Sequence, residues 1–480
     1  MKPSVGQTSV GLKSLPTLLS QSEGWLNLRA ALASNRSGTI DGAWGSSAAT
    51  AVVALTIDSS VPTLVVVPSP ADVGPWLEDL GSFLGHRPTL FPAHETWPPQ
   101  SVRGQLSNET GTRLRVLQQL LANESPQLIV APMAALIQPV PMRQELAQSG
   151  RRLKIGESLD IEEFLKWLQS NGYKRTEAVE YPGEYGRRGG ICDIFPPDAT
   201  DPIRLEFFGD ELESIRTFSA QTQRSLGTKS ELVLLNARTD TPKATGRTAF
   251  GFFTDYLPPN SVLALVEPGD LKEQGKHFFD RVSDTTGLFT VDGTFAQLMQ
   301  RPTVVVSALP RPTVEASVHL KVESVERFSG NVQRVRDELD SIAQTDRVLI
   351  ACQTEAEIHR LTDVLKAGKL AESNRLALVT GHVRAGFRLV SAGVVVLGSH
   401  EIFHRDLLPS GVKSTPSTGA SSRRVEGRAI DSFLELNDGD YVVHIAHGIA
   451  RFRGMKMLEK GAIEAVDVDE DSPQIGRAHV

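Results

Sequence analysis

Tyr181-Pro-Gly-Glu-Tyr-Gly-Arg-Arg-Gly-Gly-Ile-Cys-Asp-Ile-Phe-Pro-Pro197, followed after a short gap by Pro202-Ile-Arg-Leu-Glu-Phe-Phe-Gly-Asp-Glu211, sets the character of the middle of this 480-residue chain. Its short extended runs are punctuated by Gly183, Gly186, Gly189-Gly190 and Pro196-Pro197, a pattern of strands joined by turns. Strands are expected over 202–208 and 211–218, flanking Gly209-Asp210, where glycine at the first turn position suits a two-residue hairpin. Alternation along the first strand puts Ile203, Leu205 and Phe207 on a core face and Arg204, Glu206 and Phe208 on the other. An arginine beside an exposed aromatic is a common composition of binding hot spots. The competing expectation is that a loop covers Phe208 while the arginines pair with Glu206 or Glu211. With a helix expected over 161–170, the region reads as an antiparallel α+β insert.

On either side the texture is different. Helices are expected over 48–55, 71–83 and 113–123, and strands over 63–67 and 127–131; helix-like spacing also covers 16–34, followed by a Gly/Ser/Asn-rich break over 35–45. Further strands are expected over 262–266 and 303–307. Alternating strands and helices imply a parallel α/β sheet. A second alternating block has helices over 332–342 and 355–367 and strands over 347–351 and 393–397, which suggests a small α/β domain at 321–405. Residues 406–430 have linker composition, and from 432 onward Gly439, Gly448 and Gly454 punctuate short apolar runs as in a small β-barrel. The fold class is therefore α/β multidomain.

The chain's length suits roughly three domains. Fifty Lys plus Arg against 57 Asp plus Glu leave a net charge of −7, so no global positive field draws the molecule onto nucleic acid. Cys192 and Cys352 stand far apart without a CxxC, which excludes a disulfide framework and a cysteine-rich zinc site. No apolar run approaches the roughly 18 residues of a membrane span, and the start carries no continuous apolar leader core. A cytoplasmic setting without membrane contact is expected.

Two motifs suggest chemistry. Gly42-Ala-Trp-Gly-Ser-Ser-Ala-Ala49 lies where an α/β unit keeps its phosphate loop, but Ser47 replaces the second glycine, and Ala48 and Ala49 stand where Lys and Ser/Thr are needed for phosphates and magnesium. It reads as a retained turn without nucleotide function. His400-Glu-Ile-Phe-His404 matches the H-E-x-x-H zinc pattern, with His400 and His404 as ligands and Glu401 as base. It follows the expected strand 393–397 too closely for a preceding helical turn, and a strand-end turn is preferred; a zinc hydrolase is the rival enzyme reading. No catalytic residue and no metal site is assigned.

The central stretch, with its R-G-G-I-x-D-I-F-P-P and P-I-R-x-E-F-F-G-D-E runs, closely resembles the second domain of the transcription-repair coupling factor family, shared with the excision-repair protein UvrB. Phe91-Pro-Ala-His-Glu-Thr-Trp-Pro98 is similar to that family's F-P-x-W-E-T-x-P loop, and the run from Gly439 to Gly454 to the start of its RNA polymerase interaction domain. The resemblance implies a UvrB-like domain 1a at 1–149 with a degenerate phosphate loop, domain 2 at 150–238, domain 1b at 239–320, the small α/β domain at 321–405, the linker at 406–430 and a truncated Tudor-like (CarD-type) barrel at 431–480. It implies UvrA binding by Arg188, Arg204 and Phe208, and binding of the RNA polymerase β subunit by a region containing His447, Gly448, Arg451 and Phe452. The whole family protein resembles an ATP-dependent double-stranded DNA translocase, so ATP, magnesium and DNA belong to motor domains past this N-terminal part, which needs no cofactor. A UvrB-type damage-loading protein is the alternative, disfavoured by Ala48. Residues 461–480 depart from the barrel pattern, and Ile475–Val480 back-translates to a common sequencing-adapter read; a truncated or misassembled reading frame is expected there, with no functional content.

Overall fold

The computed structural model describes residues 11–403 apart from 58, 60, 100–106, 238–249, 310–315, 326–327, 329–333 and 344, together with the backbone of 441–444 and 448–451. The chain divides into two compact units, Met1–Val412 and Lys413–Val480. It is a mixed α/β protein with one large parallel sheet and several smaller sheets.

The large sheet has seven strands in the order Ser317–His319, Gly38–Asp41, Thr303–Val306, Val262–Val266, Thr63–Val67, Leu128–Pro132, Thr89–Leu90. Every neighbouring pair is parallel. Parallel sheets need cover on both faces, which is why Thr63–Val67 and Val262–Val266 are buried at every position and read as unbroken apolar runs. Leu15–Ser20, Ser46–Thr56 and Pro70–Leu84 supply residues to the core on one face; Leu117, Leu136 and Phe278 belong to that on the other. The expected continuous spacing over 16–34 is broken at residues 21–22 into Leu15–Ser20 and Glu23–Ala33. The expected break at 35–45 conceals the strand Gly38–Asp41, whose Gly38 lies so close to Leu28 and the Ala316 carbonyl that a Cβ would collide with both.

The α+β region carries a six-stranded sheet in the order Ser225–Lys229, Glu211–Phe218, Ile203–Phe208, Ile191–Ile194, Glu184–Arg188, Lys174–Arg175. Gly209 has φ +60° at the expected hairpin turn. The register between the two hairpin strands shifts between Glu206 and Phe207, a bulge close to the turn. Helix Ile161–Ser170 begins where the Asp160 carboxylate accepts the backbone N–H groups of Glu162 (2.8 Å) and Glu163 (3.1 Å). Its Phe164 and Leu168 pack with Cys192, Ile203, Leu205 and Ile215.

A five-stranded sheet follows in the order Val322–Ser324, Phe387–Leu389, Val394–Gly398, Arg347–Cys352, Leu376–Thr380, the last three parallel. Its Leu349, Ala351, Val394 and Val396 join the same apolar cluster as Val52, Val65 and Leu80, so the two α/β sheets share a continuous core. In the second unit, Tyr441–His444 pairs antiparallel with Gly448–Arg451. His404, the expected linker, His447, Phe452 and the tail at 461–480 lie outside the described residues.

The six-stranded region is pinned to the seven-stranded one by helix Asn108–Leu121. Arg115 donates from Nε to the Asp198 carbonyl (2.7 Å) and from Nη2 to that of Ala199 (3.2 Å). One turn earlier, a Cβ on Gly111 would sit 2.5 Å from the Pro197 carbonyl oxygen. Gly111→Ala is therefore expected to destabilise the protein by about 1–3 kcal/mol through overpacking. At Gly269, in the first turn of helix Pro268–Arg281, a Cβ would meet nothing within 4 Å, so Gly269→Ala is expected to be neutral or stabilising by up to about 1 kcal/mol. Urea denaturation of the two variants checks the contrast.

Candidate functional site

The outward face of the six-stranded sheet follows from its register. One row places Arg188 beside Ile191 and Ile191 beside Glu206; the next places Gly186, Asp193, Arg204 and Arg216 in line. Paired residues share a face, so Arg188 and Arg204 belong to one surface, with Phe208 at the end of its central strand. Phe208 is 80% exposed, which removes the competing expectation that a loop covers it.

Arg204 is held more tightly than its position in the sequence suggests. Its Nε and Nη2 donate to the two oxygens of Asp193 at 2.7 and 2.8 Å, Nη2 also donates to Gln223 Oε1 (3.2 Å), and the guanidinium lies 4.6 Å from the centre of the Phe218 ring. The hydrogen bonds to Asp193 hold its pKa above the ordinary arginine value. The expected alternative partners Glu206 and Glu211 are not those it takes: Glu206 instead accepts from Ser214 Oγ (2.7 Å) and Arg216 Nη2 (2.9 Å). Arg188 is exposed and donates to the Glu177 carbonyl at 3.1 Å. The arrangement is an orienting pair behind an unpacked aromatic, with a second cation on the same face. It can grip a protein surface.

In the degenerate phosphate loop, Gly42 and Gly45 have φ of +70° and +53°, values that favour glycine, and helix Ser46–Thr56 follows at once. Ser47 Oγ accepts the Trp44 N–H at 3.1 Å and donates to the Trp44 carbonyl at 2.6 Å, tying the turn to itself. Ala48 and Ala49 are buried, where a catalytic loop would offer an ammonium and a hydroxyl. The adjoining cavity of about 530 Å³ is lined by Asp72, Glu267, Asp270 and Glu273 against Arg384. That charge balance repels a triphosphate. The residues present do not fit ATP.

Around the H-E-x-x-H motif, the expected strand-end turn is a five-residue helix, Ser399–Phe403, following Val394–Gly398 directly. Glu401 is taken up by the backbone: Oε1 accepts the Gly386 N–H (2.7 Å) and Oε2 the Gly398 N–H (2.8 Å). Burial raises its carboxyl pKa. His404 is outside the described residues, and among those described there is no group of three side chains able to hold a metal.

The Phe91–Pro98 loop is scaffold. Arg113, buried, donates to the carbonyls of Pro92 (2.9 Å), Ala135 (3.3 Å) and Pro139 (3.2 Å) and lies 4.3 Å from the centre of the Phe91 ring. Gln138 brackets His94, accepting its backbone N–H at 2.8 Å and donating to its carbonyl at 2.9 Å. Sequence reasoning missed Asp79, a carboxylate with no solvent exposure that joins Ser46, His382 and Arg384; no local pattern marks it.

Two family models match this chain: the UvrB interaction domain over residues 152–239 and the CarD-like/TRCF RID domain over 436–471. Among curated proteins, the transcription-repair-coupling factor of Staphylococcus aureus (strain MRSA252) is 26% identical over 434 residues, covering 73% of this chain and 36% of its own length. That of Staphylococcus haemolyticus (strain JCSC1435) is 24% identical over 392 residues, 65% of this chain and 33% of the relative. The chain thus spans about a third of the length of these relatives. The resemblance drawn from the motifs holds, and the matches support an N-terminal part of a transcription-repair coupling factor. The face bearing Arg188, Arg204 and Phe208 lies inside the matched UvrB interaction domain.

His94 yields a pH dependence. Burial first, and the Arg113 charge second, lower its pKa from 6.5 to about 3. Between those values the unfolded chain binds the proton that the folded protein refuses, so stability falls as pH drops from 6.5 towards 3. His94→Gln is expected to flatten this slope by up to about 1.4 kcal/mol per pH unit, one proton's worth. Urea midpoints measured across the window check it; equal slopes in the two proteins would contradict it.

Proposed function

We propose that this chain is the recruiting segment of a transcription-repair coupling factor, bringing the nucleotide-excision-repair protein UvrA to RNA polymerase stalled at DNA lesions. The observation that carries the proposal is the exposure of Phe208 at the end of strand Ile203–Phe208, inside the region matching the UvrB interaction domain. A large aromatic left in water beside oriented arginines suits a hot spot that gains its energy only when a partner covers it. On this reading Phe208 anchors UvrA, Arg188 contributes a charged rim contact, and Arg204, fixed by Asp193, presents its remaining donors at the edge of the contact.

The match at 436–471 supports docking on the β subunit of RNA polymerase through a Tudor-like, CarD-type barrel, with the polymerase-facing region around His447, Gly448, Arg451 and Phe452. The domain boundaries expected from the sequence, in which 150–238 is the UvrA-binding insert of a UvrB-like module, belong to this proposal. Coupling then follows from tethering: holding UvrA beside the stalled polymerase raises its local concentration without new chemistry in this segment. ATP-dependent translocation on double-stranded DNA, with ATP and magnesium, is assigned to motor domains of the whole protein, and the setting is the cytoplasm.

Because Phe208 packs so little, its removal separates binding from folding. Phe208→Ala is expected to leave the urea midpoint unchanged and to weaken UvrA binding by at least about 2 kcal/mol, about 30-fold in Kd. Arg204→Ala also removes the Asp193 pair and the Phe218 contact, so it tests stability along with binding. Calorimetric titration of UvrA into the wild type and the Phe208 variant decides; equal affinities would sink the assignment.

A further inference from the structure

Two motifs that suggested chemistry, the phosphate-loop remnant and H-E-x-x-H, meet at one place. Loop 381–386, which precedes strand Phe387–Leu389 of the five-stranded sheet, lies between them. On one side, Ser46, the first residue of the helix after the phosphate loop, accepts the Ala385 N–H at its Oγ (3.1 Å) and donates to Asp79 Oδ2 (2.8 Å). Asp79 Oδ1 accepts the Arg384 N–H at 2.9 Å and lies 3.2 Å from His382 Nδ1. The other ring nitrogen of His382 is 3.2 Å from Glu78 Oε2, and the His382 N–H donates to Ser82 Oγ at 2.7 Å. Arg384 reaches across the Trp76 ring. Helix Pro70–Leu84 therefore meets the loop with Trp76, Glu78, Asp79 and Ser82.

On the opposite side, Glu401 accepts the Gly386 N–H, and His400 hydrogen-bonds to the backbone of Arg384. The fit is tight. A Cβ on Gly45 would stand 2.8 Å from that of Ala385, and one on Gly398 2.5 Å from the Val383 carbonyl oxygen. Between these polar contacts Val383 is buried in the core shared by the two sheets.

We infer that the phosphate-loop remnant is the socket of an intramolecular clamp, whose occupant is this chain's own loop 381–386, braced from behind by His400 and Glu401. Gly45 must pass the Ala385 side chain without a Cβ. The helix that a nucleotide-binding protein would turn towards phosphate instead receives a peptide N–H through the Ser46 hydroxyl. Asp79 sets the register: its two oxygens meet one donor from the remnant and two from the loop, and these contacts fix where the five-stranded sheet sits on the seven-stranded one. The inference stands independently of UvrA recruitment.

Hydrogen exchange at individual sites tests it, with strand Val262–Val266 as an internal reference outside the clamp. Asp79→Asn keeps the size of the side chain and removes its charge. It is expected to speed exchange at the His382 and Arg384 amides at least tenfold while the reference strand is unchanged. Unchanged exchange at both amides would overturn the clamp. If Asp79→Asn loosens the reference strand as well, Ser46→Ala decides: it is expected to speed exchange at Ala385 at least tenfold with the reference strand intact, and no acceleration there would equally overturn the proposal.

Discussion

A carboxylate buried without access to water must be met by donors, because an unpaired charge in a protein interior costs several kcal/mol. Asp79 is such a group, and its donors come from two places far apart in the chain: Ser46, at the start of the helix after the phosphate loop, and residues 382 and 384 of the five-stranded region. Satisfying it joins the parallel sheet to its smaller neighbour. The apolar residues around it follow, since Val52, Val65, Leu80, Val383 and Val396 make one continuous core only when the two sheets are in register. This junction, with the Arg115 and Gly111 contacts that fix the six-stranded sheet to helix Asn108–Leu121, joins the three sheets into one platform.

Against that platform, one surface stands out because its polar groups are arranged and its aromatic is left over. Asp193 and Arg216 neutralise Arg204 and Glu206 within the sheet, so the cross-strand pairs orient the charged groups of this face. Phe208 lies beyond the bulge at the end of this pattern. Phe91, Phe164 and Phe253 are buried, whereas Phe208 is left in solvent. That contrast, inside a region matching the UvrB interaction domain, makes recruitment of a repair protein the function best supported, with the second matched region at 436–471 as the proposed polymerase contact.

Much of the fold was legible wherever local chemistry dictates it. The β-branched run Thr63–Val67, the strand Val262–Val266 and the helix Ile161–Ser170 begin and end as the sequence suggests, because burial on both faces, or an aspartate cap followed by helical spacing, leaves little choice. Gly38–Asp41 was hidden because Gly-Thr-Ile-Asp is too short to show a period, and its strand character comes from neighbours at 304–306 and 317–319. The alternation of Ile203–Phe208 revealed the outward face but not the partner of Arg204, since Asp193 lies opposite it only once the strands pair. Glu401 looked catalytic in a five-residue pattern and is structural in three dimensions, where the amides of Gly386 and Gly398 converge on it. Asp79 and His382, 303 positions apart, could be brought together only by the fold.

The central claim is that the Phe208 end of the six-stranded sheet is where UvrA docks. Placing a photo-crosslinking phenylalanine analogue at position 208, with a second at the similarly exposed Leu309 as a control, tests it directly. With UvrA and RNA polymerase both present, the account expects position 208 to crosslink to UvrA and position 309 to give no such product. Crosslinking to UvrA from 309 and not from 208, or from neither position while UvrA remains bound, would contradict it.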